Sequence, residues 1–170
     1  LTVSANTNPL AATSGASGTY TLNGTSGLSF SVTNAASAWL TLTGTTTGTT
    51  NGSNQTFTYK TASVNPNSAE RSGDVTVTAG NMSEKVTIRQ SGSTFSVSNT
   101  SVNIAATVTS GSVNVTGTSG LPWTATRASG STDISAGTTS STATGSAQTL
   151  TFNTSVNTGG ERSAVFTIAV

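Results

Sequence analysis

Between Asn65 and Gln90 the chain reads NPNSAERSGDVTVTAGNMSEKVTIRQ, with apolar residues at every second position of two short runs. Val75, Val77 and Ala79 alternate with polar side chains, and Val86 and Ile88 do so again. A period of two sends successive side chains to opposite faces, so each run is a strand with one face in a core and the other in water. Gly80-Asn81 between the runs is a tight-turn pair, which makes them a hairpin. No stretch of useful length carries the period of an amphipathic helix.

Part of this text returns. Asn157-Thr158-Gly159-Gly160-Glu161-Arg162-Ser163, followed by Ala164-Val165-Phe166-Thr167-Ile168, repeats the turn and the first strand, and the second hairpin strand has no counterpart before Val170. Phe95-Ser96-Val97-Ser98 repeats Leu1-Thr2-Val3-Ser4, and Ala105-Ala106-Thr107 repeats Ala11-Ala12-Thr13. Gly117-Thr118-Ser119-Gly120-Leu121 repeats Gly24-Thr25-Ser26-Gly27-Leu28, and Gln148-Thr149-Leu150-Thr151-Phe152 repeats Gln55-Thr56-Phe57-Thr58-Tyr59. Matches in the same order, spaced by roughly ninety residues, divide the chain into two units. The expected boundaries are 1–92 and 93–170, meeting in Ser91-Gly92-Ser93-Thr94. Each unit is close to the size of an immunoglobulin-type sandwich, about 100 residues. The expected fold class is all-β: two tandem immunoglobulin-like β-sandwiches, the second lacking its last strand.

Other strands of the first unit are expected at Leu1–Ser4, ended by Asn8-Pro9, and at Thr19–Leu22, Leu28–Val32, Ala38–Leu42 and Gln55–Lys60. Gly44 to Asn54, almost all Thr, Gly, Ser and Asn, reads as a surface loop with its tight turn at Asn51-Gly52.

Composition limits what such a scaffold can do. With 32% hydrophobic and 6% charged residues, the cores are thin and the skin is Ser, Thr, Asn and Gly. The alternating Thr, Val and Ile set the chain apart from disordered sequences, which are charge-rich and poor in β-branched residues. Six basic and five acidic side chains give a net charge of +1, which provides no electrostatic footprint for nucleic acid or an anionic membrane. No apolar run approaches a membrane-spanning helix, so no membrane insertion is expected in this segment. The chain opens at Leu1, inside an expected strand and without Met, so it reads as a piece of a longer polypeptide whose neighbouring domains are its first partners.

Catalytic groups are scarce. Without His or Cys, the usual nucleophile–base pairs and zinc sites cannot be assembled, and no disulfide can form. The acids are Glu70, Asp74, Glu84, Asp133 and Glu161. Glu70 and Asp74 flank a turn and a strand start, where acids solvate backbone, and the repeat keeps Glu161 but has Val165 in place of Asp74. The expectation is no catalytic residue, no enzyme activity, no cofactor and no metal. Four residues are candidates for ligand binding: Arg71 and Arg162, from the repeated Glu-Arg-Ser, and the two tryptophans, Trp39 and Trp123. The arginines could present forks to a sugar or carboxylate, although pinning the carbonyls of their own turns is the favoured reading. Rings in a thin sandwich are needed for its core, so Trp39 and Trp123 are expected inside; exposed beside a groove they would stack on a sugar.

Trp39-Leu40, a Thr/Gly loop, an alternating strand, Asn67 to Arg71, Val75-Thr76-Val77 and Val86-Thr87-Ile88-Arg89-Gln90-Ser91-Gly92 together resemble a BACON-type immunoglobulin-like domain. Arg71 and Thr87 to Gly92 match the family's usual ending. The Trp that the family carries one strand earlier is Phe30 in the first unit and Trp123 in the second, while the Trp-Leu place holds Asp133-Ile134 in the second. The resemblance covers nearly the whole chain and is closer in the first unit. It implies a seven-stranded sandwich of surface and secreted proteins in Bacteroidetes and some of their phages. The family's name records a proposed carbohydrate-binding role, and in multidomain enzymes such modules are spacers.

The expected function is therefore a non-catalytic extracellular surface or adhesion module, a structural spacer or interaction domain of a larger protein. Two alternatives stand beside it: a carbohydrate-binding module, with glycans as partners, and a subunit of a surface filament or virion. In the last case another subunit supplies the missing strand, with Leu1 to Thr13 as candidate donor.

Overall fold

The computed structural model describes residues 1–170, which form fifteen strands and no helix. No helix is long and apolar enough to cross a membrane. The chain separates into two compact units, Leu1–Ser93 and Thr94–Val170.

The first unit contains β1 (Thr2–Ala5), β2 (Ser17–Asn23), β3 (Ser29–Asn34), β4 (Leu40–Thr43), β5 (Thr47–Thr49), β6 (Gln55–Thr61), β7 (Arg71–Ala79) and β8 (Met82–Gln90). They form two antiparallel sheets, β1-β2-β6-β4 and β5-β3-β7-β8. Alternation decides the faces: Tyr20, Leu22, Leu40 and Tyr59 of one sheet pack against Phe30, Val32, Val75, Val77, Val86 and Ile88 of the other. Phe57 meets Phe30 edge-on and stacks on Tyr20, with ring centroids 5.6 and 5.2 Å apart. The outward positions of β2 and β6 carry Ser17, Thr19, Thr21, Thr56 and Thr58, so this face presents hydroxyls to water.

β7 and β8 are the expected hairpin, longer than the alternation alone marks. Arg71 pairs with Gln90 at one end and Ala79 with Met82 at the other. Gly80, at φ 61°, makes the turn in a backbone region that side chains with a Cβ avoid. At the far end, Leu10 leaves β1 to form a parallel bridge with Gln90, its N–H donating to Arg89 O and its carbonyl accepting from Ser91 N.

The second unit contains β9 (Phe95–Val97), β10 (Ser110–Gly117), β11 (Pro122–Gly130), β12 (Ser135–Ala136), β13 (Ser140–Thr142), β14 (Gln148–Asn153) and β15 (Ala164–Ala169). Its sheets are β9-β10-β14-β12 and β13-β11-β15. Strand for strand this is the order β1-β2-β6-β4 and β5-β3-β7. The registers agree as well: Val32 pairs with Val77 and Thr33 with Thr76, as Ala125 pairs with Ile168 and Thr126 with Thr167. β15 hydrogen-bonds to β11 on one side and has no strand on the other. Its core layer is Val113, Val115, Leu121, Trp123, Ala125, Leu150 and Phe152.

Three local expectations need correction. Gly44 to Asn54 is not loop throughout: Thr47–Thr49 forms β5, pairing Ser29 with Thr49 and Ser31 with Thr47. Its residues are all exposed, so no apolar alternation marks it. Trp39 is not on a strand; it closes a turn over residues 35–39 in which Trp39 N and Leu40 N both donate to Ala36 O, and β4 begins at Leu40. Glu70 and Asp74 do more than solvate backbone: each has a cross-strand basic partner on β8.

Candidate functional site

Arg71 opens β7, where the first turn meets the sandwich. Its Nε donates to Gln90 Oε1 at 2.7 Å, and its Nη2 reaches Ser63 O at 2.9 Å, Ser63 Oγ at 3.0 Å and Val64 O at 3.3 Å. The guanidinium lies 4.7 Å above the Trp39 ring. Burial holds its pKa below the usual arginine value, although it stays charged. Arg162 takes the same place at the start of the second unit's last strand. Its Nη1 donates to Asp133 Oδ2 and Ser155 Oγ, both at 3.1 Å, and its Nη2 to Ser155 O at 2.7 Å. The register places Asp133 where Trp39 stands, because Leu42 pairs with Tyr59 as Ala136 pairs with Phe152. One unit thus covers the arginine with an aromatic face and the other with a carboxylate.

Trp39 and Trp123 are both buried, at 9% and 4% exposure, so neither presents a face to solvent. Trp123 Nε1 is buried without a hydrogen-bond partner. The four candidates fall into two corners, Arg71 with Trp39 in the first unit and Arg162 in the second, while Trp123 lies on β11 beside β13.

Two polar residues do more in the first unit than the sequence suggests. Gln90 is fully buried, and its amide nitrogen lies 2.9 Å from Ala12 O and 3.1 Å from the carbonyls of Ala11 and Thr13. Asn65, also fully buried, donates from its backbone to Ala12 O at 2.8 Å and from its side chain to Ala69 O at 2.8 Å and Ser91 O at 3.0 Å. Asn157 repeats the device, with its backbone on Ala106 O and its side chain on Gly160 O. The signal for Asn65 and Asn157 was the repeated Asn at the head of each turn; a buried Gln has no signature in an alternation pattern.

Two cross-strand ion pairs lie on the surface of the first unit. Arg89 holds Glu70 through Nε and Nη2, at 2.5 and 2.9 Å, and the carboxylate beside it pushes the Arg89 pKa up. Thr87 Oγ1 and Lys85 Nζ donate to Asp74 at 2.7 and 3.0 Å, and the Thr87 bond first, then Lys85, holds the Asp74 pKa below the ordinary carboxylate value. No group of three acids is close enough to hold a metal ion.

A concavity belongs to the second unit. A groove of about 780 Å³ runs along β15, floored by Val97, Ile104, Val113, Phe152, Phe166 and Ile168, with Glu161 and Arg162 at its end.

Residues 28–91 match the BACON family model, described as "Putative binding domain, N-terminal". Over these residues the first unit is similar to the BACON family. The match spans β3 to β8 and includes Arg71, Gln90 and the Trp39 turn. No curated protein matches the chain. Among solved structures, a protein of unknown function from Porphyromonas gingivalis W83 is similar over 89% of this chain and 83% of that one, with 9% identity and a TM-score of 0.38.

Proposed function

We propose that the chain is a non-catalytic module acting outside the cell, a pair of BACON-type sandwiches, residues 1–92 and 93–170, that serves as spacer or interaction domain of a larger surface or secreted protein. The shared strand order and register support the pairing. One observation carries the functional reading. Both tryptophans lie inside their units, and Arg71 and Arg162 direct their donors at the carbonyls of their own turns. These groups fix corners instead of facing a ligand. A surface of Ser and Thr with a net charge of +1 offers neighbours little nonspecific attraction.

The alternative of a carbohydrate-binding module is tested directly. On a glycan array followed by titration of any hit, we expect no saturable binding. A glycan that binds with a defined stoichiometry and quenches Trp fluorescence would overturn the spacer reading.

A further inference from the structure

Five asparagines fold their side chains back over their own backbone, each Oδ1 accepting from the N–H two residues on. Asn6 accepts from Asn8, Asn34 from Ala36, Asn51 from Ser53, Asn65 from Asn67 and Asn157 from Gly159, at 2.9 to 3.2 Å. In four of them the bond only shapes a turn. Asn51 differs in the residue between: Thr7, Ala35 and Thr158 carry a Cβ and Pro66 has no N–H, but Gly52 has an N–H and no side chain. Asn51 and Gly52 are both exposed, Gly52 is at φ 80°, and its N–H donates to no group of the chain. The residue before them is fixed. Thr50 is buried, with its N–H on Leu28 O at 2.9 Å and its Oγ1 accepting from Leu28 N at 3.1 Å.

We propose that Asn51-Gly52 is a self-modifying site at which the folded chain deamidates. The Gly52 nitrogen loses its proton to solvent base and attacks Asn51 Cγ. The new N–Cγ bond forms as the Cγ–Nδ2 bond breaks, ammonia leaves with a proton from water, and a five-membered succinimide remains. Water then opens either of its carbonyls, giving aspartate or isoaspartate in place of Asn51. The Ser53 N–H, 3.0 Å from Oδ1, stabilises the negative charge that gathers on that oxygen during attack, as an oxyanion-hole donor does. The missing Cβ of Gly52 leaves the path of attack open. Each conversion replaces a neutral amide with a carboxylate and takes the net charge from +1 to zero. Isoaspartate also adds a methylene to the main chain between β5 and β6.

The chain contains its own comparison. Asn23-Gly24 is the other Asn-Gly pair, but Asn23 ends β2 in register with Thr2, so its extended backbone carries the side chain away from the next peptide. Its Nδ2 donates to Asn54 Oδ1 at 2.8 Å. In the second unit these two places hold Thr116-Gly117 and Thr144-Gly145. Thr144 keeps the turn through its hydroxyl, which accepts from Ser146 N at 3.4 Å, and has no amide to lose.

The test incubates the purified 170-residue chain, folded and in urea, and follows ammonia release and deamidation at each asparagine by mass spectrometry with fragmentation. In urea the two Asn-Gly pairs should convert at similar rates. In the folded chain Asn51 should keep at least its urea rate while Asn23 slows by about tenfold or more. The Asn51 rate should rise about tenfold per pH unit, because one proton leaves the Gly52 nitrogen before attack. Ser53→Pro, which removes the donor to Oδ1, should slow conversion by about three- to tenfold, and Ser53→Ala, which keeps it, should not. Equal protection of Asn51 and Asn23 in the folded chain overturns the proposal. So does a Ser53→Pro chain that converts as fast as the Ser53→Ala chain.

Discussion

Gln90 shows how one residue can hold a corner together. Its amide meets carbonyls from the segment after β1, and its oxygen accepts from Arg71, so a single side chain links the start of the unit to its last hairpin. Gln90→Leu would leave the Arg71 Nε and the Ala11 carbonyl without their partners at a part-buried corner. We expect a loss of about 3 kcal/mol in the stability of the first unit, read from urea unfolding. The two tyrosines make a second prediction. Burial raises the pKa of both Tyr20 and Tyr59. The neutral phenols therefore contribute stability that is fully present below the unfolded value of about 10 and is lost as pH rises through the higher folded values. The second unit has no tyrosine. Alkaline unfolding followed by phenolate absorbance should report on the first unit alone, and Tyr20→Phe with Tyr59→Phe should remove that pH dependence. Gly18 is a third case: a Cβ there would stand 2.5 Å from Tyr59 Oη, so Gly18→Ala should cost about 1–3 kcal/mol in the same urea measurement.

At the scale of elements, the difference between β8 and the open side of β15 should appear in matched substitutions. Ile88 is buried under its neighbours, and Ile88→Ala should cost about 3 kcal/mol. Ile168 lines an open groove, so Ile168→Ala should cost only about 1 kcal/mol, since part of its surface is already wet. Strands were legible in the sequence wherever an apolar residue returned at every second place, as in Leu28–Val32, Gln55–Lys60 and Val75–Ala79. β5 was not, because Thr47-Gly48-Thr49 pairs through its backbone with nothing to bury, and a pattern of side chains does not record main-chain bonds. Trp39 was placed on a strand because it precedes the alternating Leu40-Thr41-Leu42, but the bonds to Ala36 O hold it in a turn. The arginine corners were half legible: the repeated Glu-Arg-Ser pointed to a turn device, while Gln90 and the exchange of Trp39 for Asp133 depend on tertiary neighbours. The groove was foreshadowed only by the strand that does not recur.

At the scale of the whole molecule, the two compact units are thin and hydroxyl-coated, and among residues 1–170 the second has no strand in the place of β8. The unit with β8 has its apolar layers closed at this edge, and the other leaves Phe166 and Ile168 partly open. Calorimetry should show the second unit unfolding first, assigned by exchange at Val113 and Leu150 compared with Tyr20 and Val75. With ion pairs confined to the surface, the melting temperatures should shift little between low and moderate salt. We infer that residues 93–170 repeat the sandwich of residues 1–92 as far as the place of β7. The most direct measurement appends the Gly80–Gly92 sequence after Val170, where the register of Ala79 with Met82 would place a new hairpin beside β15. The second unit's melting temperature should rise by about 10 °C or more, from burial of two β-branched side chains and Gln, with strong protection of Ala164–Ala169. An unchanged melting temperature with the appended residues in rapid exchange would contradict it.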